Sequence, residues 1–200
     1  MTTNQREFYL GLERAAAAAR AQTGAARARL VHATLAGDEP AGAACRDGCA
    51  HCCRFPVGVR LAEALQLAAA IADDDALRAR VLAAATRTAA KPWAELPGEA
   101  CPLLDDGRCA RYEARPTPCR ALRSFDADRC ERALTGPVEV PRDEPGWWRG
   151  LGAAALLDDE HGPRELRSAL AALLALPAGA TPADARQRFA AARSVSADDD

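Results

Sequence analysis

The sequence predicts a mainly α protein, a small helical domain built around a loop-rich segment that carries eight cysteines. Three observations lead there. Alanine supplies 50 of the 200 residues, often in runs, and it is the strongest helix former. Bulky apolar side chains are scarce: Leu, Ile, Val and Phe total 34, or 17% of the chain. All eight cysteines fall between positions 45 and 130, where proline and glycine are frequent and helical periodicity fades.

Residues 4–36 read as one long helix or two in succession, anchored by Phe8, Leu12, Leu30 and Leu35, with Gly24 as the break. Residues 37–44 contain Pro40 and two glycines and form a loop into the first cysteines. After Pro56, the residues Leu61, Leu65, Leu67, Ala68 and Ile71 recur at helical spacing. Asp73, Asp74 and Asp75 then stand where a second helix is N-capped. From Pro92 to Pro145 the chain is loop-rich, with room for one short helix. Helices return at roughly 148–160, 163–176 and 182–193, with Trp147 and Trp148 as anchors, and the last residues form a solvated tail. The whole, 1–200, reads as a single domain with a cysteine-cluster core at 40–135, flanked by helical extensions at 4–36 and 148–193.

Composition bounds the function. A formal net charge of -2 without a basic stripe excludes a nucleic-acid footprint. No stretch of 18 uncharged apolar residues spans a membrane. The first twenty residues carry Arg6, Glu7, Glu13 and Arg14, which interrupt the apolar run a signal peptide needs. The expected location is the cytoplasm, where clustered cysteines bind metal or do redox chemistry more often than they form disulfides. The sequence holds no Ser-His-acid arrangement, phosphate loop or dinucleotide fingerprint, so any enzymatic role runs through the cysteines. Nothing identifies a protein partner.

Cys45, Cys49, Cys52 and Cys53 occupy nine residues, CRDGCAHCC. At about 100° per residue on a helix they share an arc of about 100°, with His51 on the opposite side. A turn followed by a short helix presents the sulfurs similarly. Free thiols so close repel when ionised and oxidise readily, and metal ligation resolves both problems. A thioredoxin-type dithiol lacks its βαβ setting, and a c-type haem site lacks the histidine after the second cysteine, where Cys53 stands. The C-x3-C-x2-C spacing of Cys45, Cys49 and Cys52 is the one radical S-adenosylmethionine enzymes use for a [4Fe-4S] cluster, though this chain has no β/α barrel.

Cys101, Cys109, Cys119 and Cys130 are spaced more widely. The segment from Cys101 to Cys109 reads as a knuckle closed by an Asp-Gly turn at Asp106-Gly107. Arg115 and Arg120 flank Cys119, either as hydrogen-bond donors to thiolates or as partners of Glu113 or Asp126. Tyr112 and Pro116 read as packing and turn residues. The combination of CxxxCxxCC, CPLLDDGxC, YExRPxxCR and a further cysteine resembles the YkgJ-type cysteine-cluster proteins, a zinc- or iron-chelating domain family. The resemblance spans roughly residues 45–130, with all eight cysteine positions of the pattern filled. It implies a metal-chelating domain whose ligands are Cys45, Cys49, Cys52, Cys53, Cys101, Cys109, Cys119 and Cys130. Family members are described as iron-sulfur oxidoreductases, and a similar motif occurs in flagellin lysine methylases.

Thiolates favour Zn2+ or an iron-sulfur cluster over hard cations. The expectation is therefore metal binding by zinc or iron, primarily structural, with a [4Fe-4S] protein of redox or group-transfer role as the alternative and a disulfide-stapled interaction module as the third reading. Cys45, Cys49 and Cys52, closed by a cysteine of the second group, would staple the loop-rich segment onto the helices.

Overall fold

The computed structural model describes residues 3–35, 40–46, 48–157 and 161–195. The side chains of Phe8 and Leu12, part of the loop before Pro40, the expected helix end at 158–160 and the tail from 196 lie outside the described residues. The fold is mainly α, as expected. The N-terminal helical stretch divides into α1 (Thr3–Arg20) and α2 (Gly24–Ala33). The break falls at Gly24, whose φ of +54° disfavours any other residue. Strand β1 (Gly58–Val59) precedes α3 (Leu61–Ile71) and α4 (Asp75–Thr88). Asp74 caps α4 as expected, its Oδ1 accepting the Leu77 N–H at 2.9 Å.

Between α4 and the C-terminal helices lie the hairpin β2 (Leu104–Asp105) and β3 (Arg108–Cys109), α5 (Thr117–Ala121) and α6 (Ala127–Arg132). Single 3-10 turns stand at Trp93–Glu95 and Tyr112–Ala114. The loop-rich segment thus holds two short helices where one was expected. The second starts at Asp126, whose carboxylate accepts the Arg129 N–H at 2.9 Å and so caps a helix too short to show periodicity.

The C-terminal part contains α7 (Glu144–Ala155), β4 (Arg164–Glu165), α8 (Leu166–Leu174) and α9 (Pro182–Ala190). Strand β4 pairs antiparallel with β1, Gly58 opposite Glu165. Helix α8 packs on both α3 and α4. The core is Leu67, Ile71, Leu77, Val81, Leu170, Leu173 and Phe189 with their neighbours, all but closed to solvent. Among the described residues, segment 92–145 gives this core only Leu103 and Ala114 as buried members.

Helix α7 starts four residues earlier than its periodicity suggested, because Pro145 occupies its first turn, a favourable place for a residue without an N–H. Its packing face is Gly146, Gly150 and Ala153, spaced i, i+4, i+7. Trp148 points the other way and is 65% exposed, so it anchors nothing. Trp147 is half-buried beneath the Arg142 guanidinium, 4.7 Å from its ring centre.

One buried carboxylate ties three helices together. Glu63 of α3 is 1% exposed. Its Oε1 accepts from His32 Nε2 of α2 at 3.1 Å and from the Thr117 N–H of α5 at 2.6 Å, while Oε2 accepts the Arg60 N–H at 2.9 Å. Burial opposes its ionisation, but the hydrogen bonds from His32, Arg60 and Thr117 together outweigh it and hold the carboxyl below its ordinary value.

Glu63→Ala strands these donors in the interior and is expected to cost about 3–5 kcal/mol, read as a lowered urea midpoint. The contribution of the native carboxylate is present above its unfolded pKa of about 4.3 and is lost as pH falls through the lower folded value. An acid unfolding profile of Glu63→Gln superimposable on that of the wild type would contradict this. At Gly150 an added Cβ meets the Cβ of Ala121 on α5. Gly150→Ala is therefore expected to cost about 1–3 kcal/mol in overpacking, beyond the ~1 kcal/mol alanine gains in helix propensity, and a raised Tm would refute the close packing of α5 on α7.

Candidate metal centre

Four segments converge on one cavity. The first is not a regular helix: Gly48 has φ +81°, and only Cys52–Arg54 form a 3-10 turn. The helical projection therefore fails, whereas the turn-then-short-helix alternative holds. His51 stands before that turn and does not line the cavity. The second segment is the hairpin knuckle. Its turn carries Asp106 at φ 43° and Gly107 at φ 74°, the conformation Asp-Gly pairs adopt in two-residue hairpins. The tip abuts the first segment, with a Cβ at Gly107 falling 3.4 Å from the Gly48 carbonyl oxygen.

Backbone bonds fix these segments to each other. The Cys101 N–H donates to the Cys53 carbonyl at 2.7 Å, and the Gly98 N–H to that of Arg54 at 2.8 Å. Ala44 N–H donates to the Ser124 carbonyl at 2.8 Å, and Ser124 N–H to Cys45 Sγ at 3.3 Å. Cys119 rides on α5, whose first N–H is held by Glu63, and Cys130 rides on α6.

The cavity encloses about 450 Å3 and is lined by Cys45, Cys49, Cys52, Cys53, Cys101, Cys109 and Cys119. Cys130 is not a lining residue, yet the thiols whose charges bear on it are Cys45, Cys49 and Cys52. Those bearing on Cys119 are Cys101, Cys52 and Cys109. All eight are free and half-buried. Among the described residues no three Cys, His, Asp or Glu side chains stand as a preformed ligand set; the thiols ring the cavity without meeting at a point.

Their surroundings keep most of these thiols protonated. Burial raises Cys101 to about 11 and Cys119 well above its ordinary value. Burial likewise raises Cys109 and Cys130. Cys52 is pushed far up by its hydrogen bond with Cys53 and then by burial. Thiols so shifted hold their protons at neutral pH, and a metal must displace them. The donor set is entirely soft sulfur, with no carboxylate among the described lining residues, which fits zinc or iron and excludes a calcium or magnesium site.

The arginines divide. Arg115 lies near the thiols, its charge favouring ionisation of Cys52 and Cys109, and stacks on Tyr112 at 3.8 Å. Tyr112 is 51% exposed, a lid over Arg115 more than a packing residue. Arg120 takes neither expected role: it donates to the carbonyls of Arg115 and Glu113, fastening the turn before α5. Asp126 instead has Arg129 at 3.5 Å.

A second buried pair, Arg167 and Glu165, is not foreseen from the sequence. Arg167 of α8 is 2% exposed, donates to Glu165 at 2.8 Å, and donates to the Glu99 carbonyl at 2.7 Å, two residues before Cys101. Its charge lowers the Cys101 pKa while that of Glu165 raises it. A signal existed for both buried pairs. Glu63 is four residues from Leu67 and Arg167 three from Leu170, so each charge falls on an apolar helix face.

Comparison with curated proteins and with solved structures gives no match. Residues 44–135, a little under half the chain, match the model of the CxxCxxCC family, a putative zinc- or iron-chelating domain.

Proposed function

We propose that the eight cysteines hold zinc or iron in two linked four-thiolate sets, with a primarily structural role. Metal binding is the general function that the family match supports. The finer reading assigns Cys45, Cys49, Cys52 and Cys130 to one set, and Cys53, Cys101, Cys109 and Cys119 to the other. The observation that carries it is the gathering of seven thiols around one cavity, with Cys45, Cys49 and Cys52 the thiols whose charges bear on the eighth, Cys130. Cys53, whose backbone is bonded to Cys101 and whose thiol meets that of Cys52, is placed in the second set and links it to the first. A structural zinc contributes about 10–16 kcal/mol of apparent binding free energy, which offsets the near absence of core residues in segment 92–145. The cell compartment in this reading is the cytoplasm; no helix among the described residues is long and apolar enough to cross a membrane.

The cavity volume favours a second reading. A single ion needs far less than about 450 Å3, which lies in the range of small-ligand pockets. An iron-sulfur cluster with a redox or group-transfer role would use that space. Anaerobic purification separates the two. Colourless protein with two zinc per chain supports the first reading, and brown protein with sulfur-to-iron charge-transfer absorption supports the second and overturns the first.

Cys49→Ser and Cys119→Ser are each expected to remove one metal equivalent of two. In Cys49→Ser, segment 92–145 becomes protease-sensitive while α3, α4 and α8 retain their helicity. Loss of both equivalents from either single variant would show one shared centre instead of two. Because the raised thiols are protonated before loading, metal uptake releases protons and apparent affinity climbs steeply with pH between about 6 and 8. A pH-independent affinity in a competition titration would mean that these thiols are not the ligands.

A further inference from the structure

We propose that Ser124 is the positioning residue of the thiolate set Cys45, Cys49, Cys52 and Cys130: its backbone N–H holds the Cys45 sulfur, and its hydroxyl turns to the Cys130 sulfur when metal binds. The proposal rests on the reading of these cysteines as metal ligands. Cys45 is the first cysteine of the chain and Cys130 the last, and Ser124 touches both. It is 3% exposed, and its N–H donates to Cys45 Sγ at 3.3 Å. Burial raises the Cys130 thiol, and a hydrogen bond with the Ser124 side chain works against that rise.

Backbone bonds pin the residue on both sides. Its carbonyl accepts the Ala44 N–H at 2.8 Å, the Phe125 N–H donates to the Pro141 carbonyl at 2.9 Å, and the Asp143 N–H donates to the Arg123 carbonyl at 2.9 Å. A serine hydroxyl has one proton and two lone pairs. One lone pair accepts the Asp126 N–H at 3.0 Å, which fixes the oxygen beside the start of α6, the helix that carries Cys130. The proton has three acceptors within reach: the Asp126 carbonyl at 3.1 Å, the Pro141 carbonyl at 3.2 Å and the Cys130 sulfur. Both carbonyls already accept a backbone N–H, from Cys130 at 3.2 Å and from Phe125 at 2.9 Å, so neither is left unpaired when the proton turns away. A metal-bound sulfur carries negative charge that a neutral thiol lacks, and hydrogen bonds to a charged acceptor are roughly twice as strong as neutral ones. Loading therefore draws the hydroxyl proton to Cys130 and strengthens the N–H bond to Cys45. One buried residue then orients two of the four sulfurs and withdraws charge from them, the part that outer hydrogen bonds play at metal sites.

The test loads the full chain with Co2+, whose sulfur-to-cobalt absorption reports on the thiolates, and withdraws it with a competing chelator. Ser124→Ala is expected to bind as much cobalt as the wild type, with one equivalent held about tenfold more weakly. The charge-transfer absorption of that equivalent is expected to move to lower energy, because a thiolate that loses a hydrogen bond donates its electrons more readily. Ser124→Thr keeps the hydroxyl and is expected to keep the wild-type band and affinity. Three results would overturn the proposal: wild-type absorption in Ser124→Ala, the same shift in Ser124→Thr as in Ser124→Ala, or loss of cobalt from both variants. The last would make the serine a structural residue alone. The wild type is read separately: a chain without sulfur-to-cobalt absorption overturns the metal reading and the role of Ser124 with it, whereas failure confined to the variants overturns only that role.

Discussion

The Glu63 carboxylate is the joint on which the arrangement depends. Helices α2, α3 and α5 meet there through His32, Glu63 and the Thr117 N–H, and Cys119 follows two residues later. A carboxylate closed off from water is costly unless donors surround it. Those donors come from three separate parts of the chain, so the cost enforces one mutual placement of the helices. The Arg167–Glu165 pair does the same on the other side, where Arg167 holds the carbonyls before Cys101. Cys119 and Cys101 are thereby referenced to rigid helices, although the segment that carries them has little core of its own.

That division accounts for the scarcity of large apolar residues. Those the chain has are concentrated on α3, α4, α8 and α9, where they build one dense core. The N-terminal helices use alanine instead, packing Ala28 and Val31 closely against α3. Around the cysteines, backbone hydrogen bonds and buried charges replace apolar packing, and the thiols remain protonated and apart. In the reading advanced here, the metal completes this region: it replaces protons held at raised pKa values with sulfur-metal bonds that cross-link four segments.

Much of this was legible in the sequence. The helical class followed from alanine content and periodicity, the α4 cap from Asp74, the α1–α2 break from Gly24 and the knuckle from Asp106-Gly107. Each is a local signal in which one residue's conformational preference decides the outcome. What could not be read depended on contacts between distant segments. Trp148 looked like an anchor because aromatic residues usually are, but the small-residue stripe of Gly146, Gly150 and Ala153 took the packing face of α7. Arg120 lay beside Cys119 in sequence, yet nearer carbonyls claimed its donors. The convergence of the cysteines was expected, whereas the buried charges that enforce it belong to helices whose apolar faces they interrupt.

The pairing of β1 with β4 carries a consequence for folding. Gly58 and Glu165 stand opposite each other, so more than a hundred residues, including most of the cysteine-bearing segment, form a single loop closed by that contact and by α8 on α3 and α4. Closure of so long a loop is paid for in chain entropy before distant contacts reward it, and high contact order slows folding. A newly made chain must therefore extend past α8 before its core can assemble. During that interval all eight thiols emerge ahead of the scaffold that spaces them, exposed to oxidants and to stray soft metals.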